Sequence, residues 1–133
     1  MVYIDTNILL DIVFKRKNCD IAEVLFRTLF QKEEEACISA SAVTDLFYII
    51  RKETHDLRRT YELMGNIFKL VFVLPVTTDD VKAAFQRRWK DFEDCVQYKV
   101  AEHNGVKYIV TSNVKDYEET AVKVMKPEDY LEM

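Results

Sequence analysis

The sequence predicts an α/β fold with three layers, in which helices cover both faces of a central parallel sheet of four or five strands. Short apolar runs alternate with amphipathic helical patterns along the whole chain. With only two glycines, the chain has almost no turn chemistry for the tight hairpins that join antiparallel strands. Strands that are joined by helices pair in parallel and are buried on both faces, which fits their continuous apolar character.

Five apolar runs are predicted as strands, at residues 2–4, 36–39, 70–76 and 108–111, with a weaker one at 122–125. Helical patterns lie between them and begin at residues that cap helices well. The predicted helices cover 8–14, 20–31, a segment capped by Ser41, 55–69, 79–89 capped by Thr77 or Thr78, and 92–104 capped by Asp91. The last of these is expected to end at Asn104 and Gly105, because glycine adopts the left-handed conformation readily. A terminal turn is predicted at Pro127.

Length and composition indicate one domain spanning 1–133, with enough apolar residues, 49%, to bury a substantial core. No run reaches the roughly 20 apolar residues of a membrane span, and the first charge, Asp5, comes too early for a signal peptide. We therefore expect a cytoplasmic protein without membrane contact. The three cysteines lack the paired spacing of a zinc or redox site, so they are expected to be reduced and structural.

Two further observations exclude classes of function. The two glycines exclude both a Walker A loop and a glycine-rich dinucleotide turn. The net charge of −4 opposes a polyanionic partner, so nucleic-acid binding would depend on local basic patches. We take Arg87, Arg88 and Lys90 as the candidate patch, since they directly precede a pair of aspartates and could hold a phosphate backbone.

Carboxylates follow the predicted strands at the edge where open α/β sheets bind ligands. Asp5 comes directly after the first strand, and Asp116 lies in the loop after the fourth. Asp94 lies in the first turn of the helix that Asp91 caps, and Asp45 lies within the helix that follows the second strand. We predict that Asp5, Asp45, Asp94 and Asp116 form the catalytic cluster, whereas capping alone explains Asp91.

Several carboxylates held close together repel one another, and a divalent cation relieves that repulsion. Ligands that are all oxygen favour Mg²⁺ or Mn²⁺ over zinc or copper. We therefore predict a Mg²⁺ or Mn²⁺ site built from Asp5, Asp94 and Asp116. Such ions activate water and neutralise charge on a phosphoryl group, which makes hydrolysis of a phosphodiester feasible. For Asp45, a solvated position on the helix and a role in the site are equally supported.

Among the other residues, Asp11 is predicted on the surface, and His55 and His103 have no obvious nucleophile to pair with. Apolar side chains on the early helices could form an interface, but core packing is their more common use. These are Ile12, Phe14, Leu25 and Phe30.

Four segments, IDTNILLD, ISASAVTDLFYIIRK, DFEDCVQYKVA and IVTSNVKDY, together resemble a PIN-domain protein over nearly the whole chain. The resemblance implies a parallel α/β fold with an acidic Mg²⁺ or Mn²⁺ site. By position, Asp5, Asp94 and Asp116 resemble the first, third and fourth family aspartates. The second family acid is usually Glu, where this chain has Asp45, and Ser112 stands where an Arg is common. Three polar residues match supporting positions of the family: Thr6, Asn7 and Asn113.

Many small prokaryotic PIN proteins are ribonuclease toxins of the VapC type that an antitoxin neutralises. The resemblance therefore implies an RNA substrate, a homodimer and an antitoxin partner. A catalytically weakened PIN fold that binds RNA or protein remains an alternative, which Asp45 and the acidic net charge support. An aspartyl-phosphate protein fits less well, because Asn7 stands where a phosphatase needs a second Asp. A receiver domain would need a phosphoacceptor after the third strand, where residues 74–77 offer none.

Overall fold

The five predicted strands form one parallel sheet. The computed structural model describes all residues, 1–133. The strands are β1 (Val2–Ile4), β2 (Ala36–Ser39), β3 (Phe72–Leu74), β4 (Tyr108–Val110) and β5 (Lys123–Met125). Every pairing is parallel, and the order across the sheet is β3-β2-β1-β4-β5. The predicted parallel sheet is confirmed, with five strands.

Seven helices connect and flank these strands. They are α1 (Thr6–Val13), α2 (Cys19–Gln31), α3 (Ala40–Thr54), α4 (Leu57–Leu70), α5 (Thr78–Arg87), α6 (Phe92–His103) and α7 (Pro127–Leu131). A single 3-10 turn, Val114–Asp116, follows β4. None of the helices combines the length and the apolar character that a membrane span requires.

Two apolar cores lie on opposite faces of the sheet and produce the predicted three layers. Side chains of β1 alternate between them: Val2 and Ile4 enter one core, and Tyr3 enters the other. The first core is completed by α1 to α4 and by Tyr130 of α7, and the second by α5 and α6. All three residues of β1 are fully buried, so the backbone of the residue that follows this strand is held in a fixed position.

The structure changes several predicted boundaries. The cap of α3 is Ser39, whose hydroxyl accepts from the Ala42 amide at 3.3 Å, rather than Ser41. The third strand is shorter than predicted because α4 extends to Leu70, and the Val71 amide still bonds to the carbonyl of Ile67. Thr77 and Asp91 do cap α5 and α6, and the residue after α6, Gly105, has the expected left-handed conformation with φ +66°.

Two predictions about burial are wrong. Asp11, which was predicted on the surface, is only 8% exposed on α1, and this burial raises the pKa of its carboxyl group. Phe30, which was predicted in the core, is 83% exposed at the end of α2. The three cysteines are all free, and Cys37 and Cys95 are buried whereas Cys19 is partly exposed.

Candidate metal centre

The carboxyl ends of β1 and β4 lie side by side, at the point where the strand order reverses. Asp5 follows β1 and is 4% exposed, so it forms the floor of this edge. Its carboxylate accepts a hydrogen bond of 2.6 Å from the hydroxyl of Thr111, the residue after β4. Its amide donates to the carbonyl of Val110 at 3.0 Å. These contacts fix Asp5 between the two central strands.

Three further aspartates converge at the same edge. A carboxylate oxygen from each of Asp91, Asp94 and Asp116 lies within 4.8 Å of the other two. Asp91 accepts from the Asp94 amide at 2.9 Å as the cap of α6, and Asp116 ends the 3-10 turn after β4. Asp94 and Asp116, both predicted, are therefore brought together. Asp91 was predicted only as a helix cap. In the structure it caps α6 and also belongs to the acidic cluster.

The charges of this cluster act on Asp94. Burial, followed by the negative charges of Asp5 and Asp91, raises the pKa of the Asp94 carboxyl group from 3.8 to about 8. The Asp116 carboxylate contributes in the same direction. Burial raises the pKa of Asp5 as well, and the hydrogen bond from Thr111 offsets part of that change. Asp5 lies outside the closest group but belongs to the same electrostatic cluster.

Asp45 lies on α3, outside the closest group, and pairs with a residue that the sequence did not indicate. The carboxyl group of Glu93 hydrogen-bonds to that of Asp45, and this bond is the largest cause that raises the pKa of Glu93 to about 7. Burial and the charges of Asp45 and Asp91 add to it. In the sequence, the only sign of a role for Glu93 is its position next to Asp94. Its pairing with Asp45 depends on how α3 and α6 pack against each other, which the sequence does not show.

Two of the three residues in the predicted basic patch contact aromatic rings instead of the acidic cluster. The Arg87 guanidinium donates to the Glu119 carbonyl and lies 5.8 Å from the centre of the Trp89 ring. Arg88 lies 4.6 Å from the centre of the Phe85 ring. Of the three, only Lys90 reaches the acidic cluster, where it lines a cleft of about 160 Å³.

Acidic and basic side chains alone line this cleft: Lys90, Asp91, Lys115, Asp116 and Glu118. Neither lysine side chain has an ion-pair partner within 4.0 Å. Sequence reasoning missed Lys115, because nothing in its local pattern distinguishes it from a solvated lysine. The cleft therefore combines metal-type ligands with two cations that could contact a phosphate.

A layer of buried polar groups lies beneath the cluster. The Tyr3 hydroxyl lies 3.1 Å from both Ser39 Oγ and Gln97 Oε1, and it accepts from the Ser39 amide at 3.1 Å. The Thr111 hydroxyl, besides donating to Asp5, accepts from the Asn113 amide at 3.0 Å. Thr6 makes a longer contact of 3.4 Å to Asp5. These bonds hold the floor of the site in one geometry.

The chemistry of this donor set fits a hard divalent cation. The close group contains carboxylate oxygens and neither His nor Cys, which matches Mg²⁺ or Mn²⁺. Burial is the largest cause of the raised pKa of Asp94, followed by the negative charges of Asp5 and Asp91, so an ionised Asp94 is poorly solvated and repelled by its neighbours. A cation bound among these carboxylates would relieve that repulsion.

Known proteins resemble this chain along nearly its whole length. Ribonuclease VapC1 of Aquifex aeolicus is 24% identical over 98% of this chain and 93% of its own. The structure of VapBC2 from Rickettsia felis, bound to a promoter DNA fragment, has a TM-score of 0.72 at 15% identity, covering 93% of this chain and 97% of that one.

Two more solved structures have the same fold. DNA-bound VapBC from Salmonella typhimurium gives a TM-score of 0.72 at 17% identity, over 95% of this chain and 97% of the other. VapC20 of Mycobacterium tuberculosis, a toxin that cleaves the sarcin-ricin loop, gives 0.62 at 14% identity, over 82% of this chain and 87% of that one. The family model described as PIN domain matches residues 1–115, and this chain accordingly belongs to the PIN domain family.

Proposed function

We propose that this protein is a Mg²⁺- or Mn²⁺-dependent endoribonuclease that hydrolyses RNA phosphodiesters and acts as the toxin of a toxin-antitoxin pair. The observation that carries the proposal is the convergence of Asp91, Asp94 and Asp116 within 4.8 Å above the buried Asp5. Membership of the PIN domain family and the ribonuclease name of the Aquifex relative support it.

In this proposal Asp5, Asp94 and Asp116 hold the cation, and Asp91 orients the first turn of α6 while adding negative charge. When bound, the cation activates water and neutralises charge on the phosphoryl oxygens. Lys90 and Lys115, which both line the cleft, contact the phosphate and partly offset the repulsion between RNA and the acidic cluster.

The Asp45 and Glu93 pair supplies the second acid of the site. Asp45 is one methylene shorter than the Glu that is usual in the family, so it reaches less far from α3. Glu93 approaches from α6 and hydrogen-bonds to Asp45. Glu93 thus adds a carboxyl group beside the short side chain of Asp45. We propose that this pair orients water beside the cation.

An RNA cleavage assay tests the proposal. The purified protein should cleave structured RNA when Mn²⁺ or Mg²⁺ is present and should stop when EDTA is added. Asp5→Asn should abolish cleavage, because it removes the charge held between β1 and β4. Asp79→Asn, an exposed aspartate in the first turn of α5, is the matched control and should retain full activity. Cleavage that survives both EDTA and Asp5→Asn would contradict the proposal.

The alternative is a weakened PIN protein that binds RNA or protein without cutting. A Mn²⁺ titration separates the two, since an intact acidic site binds about one or two ions and a degenerate one binds none. Saturable Mn²⁺ binding that Asp94→Asn removes would favour the nuclease.

An antitoxin is the proposed protein partner, and an apolar groove between α2 and α4 is its proposed docking surface. The groove consists of two cavities of about 610 and 270 Å³ that share Leu70. Phe30 and Phe72 are exposed at its wider end, next to Glu33 and Glu35, which have no ion-pair partner. This surface suits an apolar segment that carries basic residues.

The VapBC complexes among the structural relatives support an antitoxin partner. A small protein encoded beside this gene should copurify with the wild type after coexpression. It should not copurify with a variant carrying Phe30→Glu and Phe72→Glu, whose groove is charged. Retention by that variant would place the antitoxin on another surface.

We also infer from the family that the protein is a homodimer and that it acts in the cytoplasm, where its RNA substrate is found. Multi-angle light scattering of the purified chain should give twice the mass of 15.7 kDa. A monomer at micromolar concentration would contradict this inference.

A further inference from the structure

One buried polar group next to the acidic cluster has no partner in the protein. The hydroxyl of Tyr117 is fully enclosed and neither donates to nor accepts from any protein atom. The residue is 6% exposed, and its side chain belongs to the core that includes Tyr3 and Trp89. Among the buried side chains of the molecule, no other nitrogen or oxygen is left in this state. Buried polar groups are rarely without a partner, so this one calls for a ligand.

Tyr117 lies beside a member of the acidic cluster. The residue directly follows Asp116, and its amide donates to the Val114 carbonyl, which closes the 3-10 turn. Its ring packs edge-on against Trp89 at 6.0 Å, which fixes the plane of the phenol. After burial, the charges of Asp5 and Asp94 are the largest causes that raise the pKa of this hydroxyl. The buried phenol therefore lies close enough to Asp5 and Asp94 for their charges to act on it.

The nearby polar groups bond to other partners, and none of them bonds to Tyr117. One oxygen of Asp5 accepts from Thr111 and the other contacts Thr6. The hydroxyl of Tyr3 hydrogen-bonds to Ser39 and Gln97. A partner for Tyr117 must therefore come from outside the chain. Water needs two to four polar partners in a buried site, and the carboxylates of the acidic cluster are the candidates for them.

We propose that Tyr117 is a positioning residue whose hydroxyl donates a hydrogen bond to a water molecule at the floor of the acidic cluster, and that this water supports a divalent cation bound there. The inference rests on the proposed metal-dependent function. A phenol at this position donates without adding negative charge, because it remains protonated at neutral pH. Its role is thus to hold solvent for the cation, while the aspartates supply the charge.

The variant Tyr117→Phe separates this role from a structural one. In the metal-free protein it removes a hydroxyl that has no protein partner, so the Tm should stay the same or rise. In the Mn²⁺-bound protein it removes one hydrogen bond, so the Kd for Mn²⁺ alone, measured by calorimetry, should rise about 5- to 10-fold. A purely structural tyrosine would lower the Tm and leave the Kd unchanged.

Tyr130→Phe is the matched control. Tyr130 is also buried, at 3% exposure, but it lies near Glu34 and Lys107, which precede β2 and β4 at the opposite edge of the sheet. The Kd of the Tyr130→Phe variant for Mn²⁺ should equal that of the wild type. An equal Kd in Tyr117→Phe would overturn the inference while leaving the metal-dependent function intact. Absence of Mn²⁺ binding in the wild type would overturn both.

A crystal structure of the wild-type protein with Mn²⁺ provides a test that needs no variant. It should contain an ordered water within about 3 Å of the Tyr117 hydroxyl oxygen. A Mn²⁺ ion bound among the aspartates with no solvent at that oxygen would overturn the inference.

Discussion

Replacing Asp94 by Asn should stabilise the metal-free protein while destroying its cation site. Asp94 is the carboxylate on which burial and the neighbouring charges act most clearly, and its pKa rises from 3.8 to about 8. An acid whose pKa is raised by folding favours the folded state below pH 3.8 and loses that advantage as the pH rises toward 8. Metal-free protein should therefore become less stable between acid and neutral pH, and Asn at position 94 should remove this loss.

The size of the effect follows from the shift. Each pKa unit corresponds to about 1.4 kcal/mol, so the full shift would be worth about 5 kcal/mol at about pH 7.5. Asp94 is partly exposed, and solvent and salt screen its neighbours, so we expect Asp94→Asn to raise the free energy of unfolding by about 1 to 2 kcal/mol. At about pH 4 the gain should be small, because the carboxyl group is then neutral in the folded state and only about half ionised in the unfolded state.

Urea denaturation in EDTA at the two pH values measures this difference. The midpoint of Asp94→Asn should move up by about 0.5 to 1 M urea at neutral pH. Asp79→Asn, which removes an exposed aspartate from the first turn of α5, should instead lose a few tenths of a kcal/mol at about pH 7.5. An Asp94→Asn protein that is less stable than the wild type at neutral pH would refute the reasoning, since the cluster would then not be repulsive.

Three further predictions concern other parts of the site and the fold. Lys90→Ala and Lys115→Ala should each raise the KM for RNA about 3- to 10-fold with little change in kcat, and this increase in KM should be smaller at high salt. Unchanged KM values would mean that neither lysine binds the substrate. Thr111→Val should lower the free energy of unfolding by about 1 to 3 kcal/mol in a thermal melt, because the buried Asp5 loses its 2.6 Å hydrogen bond; a neutral result would mean that Asp5 finds another donor. Gly105→Ala should cost about 1 kcal/mol in urea denaturation through its φ of +66° alone, since open space surrounds the added methyl; a gain in stability would show that the turn relaxes freely.

The features that could be predicted from sequence are those that depend on local pattern. Residues 2–4 form a buried strand because they are apolar and lead into a helix, and that placed Asp5 at the edge of the sheet. Asp91 was identified as a cap because Asp commonly accepts from the third helical amide, and the bond from Asp94 has that form. The order of helices and strands then indicated a parallel sheet.

The features that were missed depend on contacts between distant segments. Glu93 meets Asp45 only because α3 and α6 approach each other at the carboxyl edge of the sheet. Arg87 and Arg88 looked like phosphate ligands in sequence, yet each lies against an aromatic ring, and Arg87 also bonds to the Glu119 carbonyl. Phe30 continues the apolar stripe of α2, but the helix ends beyond the core and leaves this ring exposed. Local pattern cannot distinguish these cases.

The cost of the acidic cluster is itself an argument for what it binds. Asp94 and Glu93 carry pKa values raised to about 8 and about 7, so the metal-free fold holds protons that isolated carboxyl groups would release near neutral pH. Random surface acids would move apart, but Asp5 is fixed by Thr111 and Asp91 is fixed as the cap of α6. The fold thus keeps these charges together at a cost to its own stability. A cation that binds there recovers that free energy by displacing the protons, so its affinity should be greater at pH 8 than at pH 6 by about tenfold or more. Calorimetry with Mn²⁺ at the two pH values would measure this difference in affinity. A pH-independent Kd would mean that the cation binds away from Asp94.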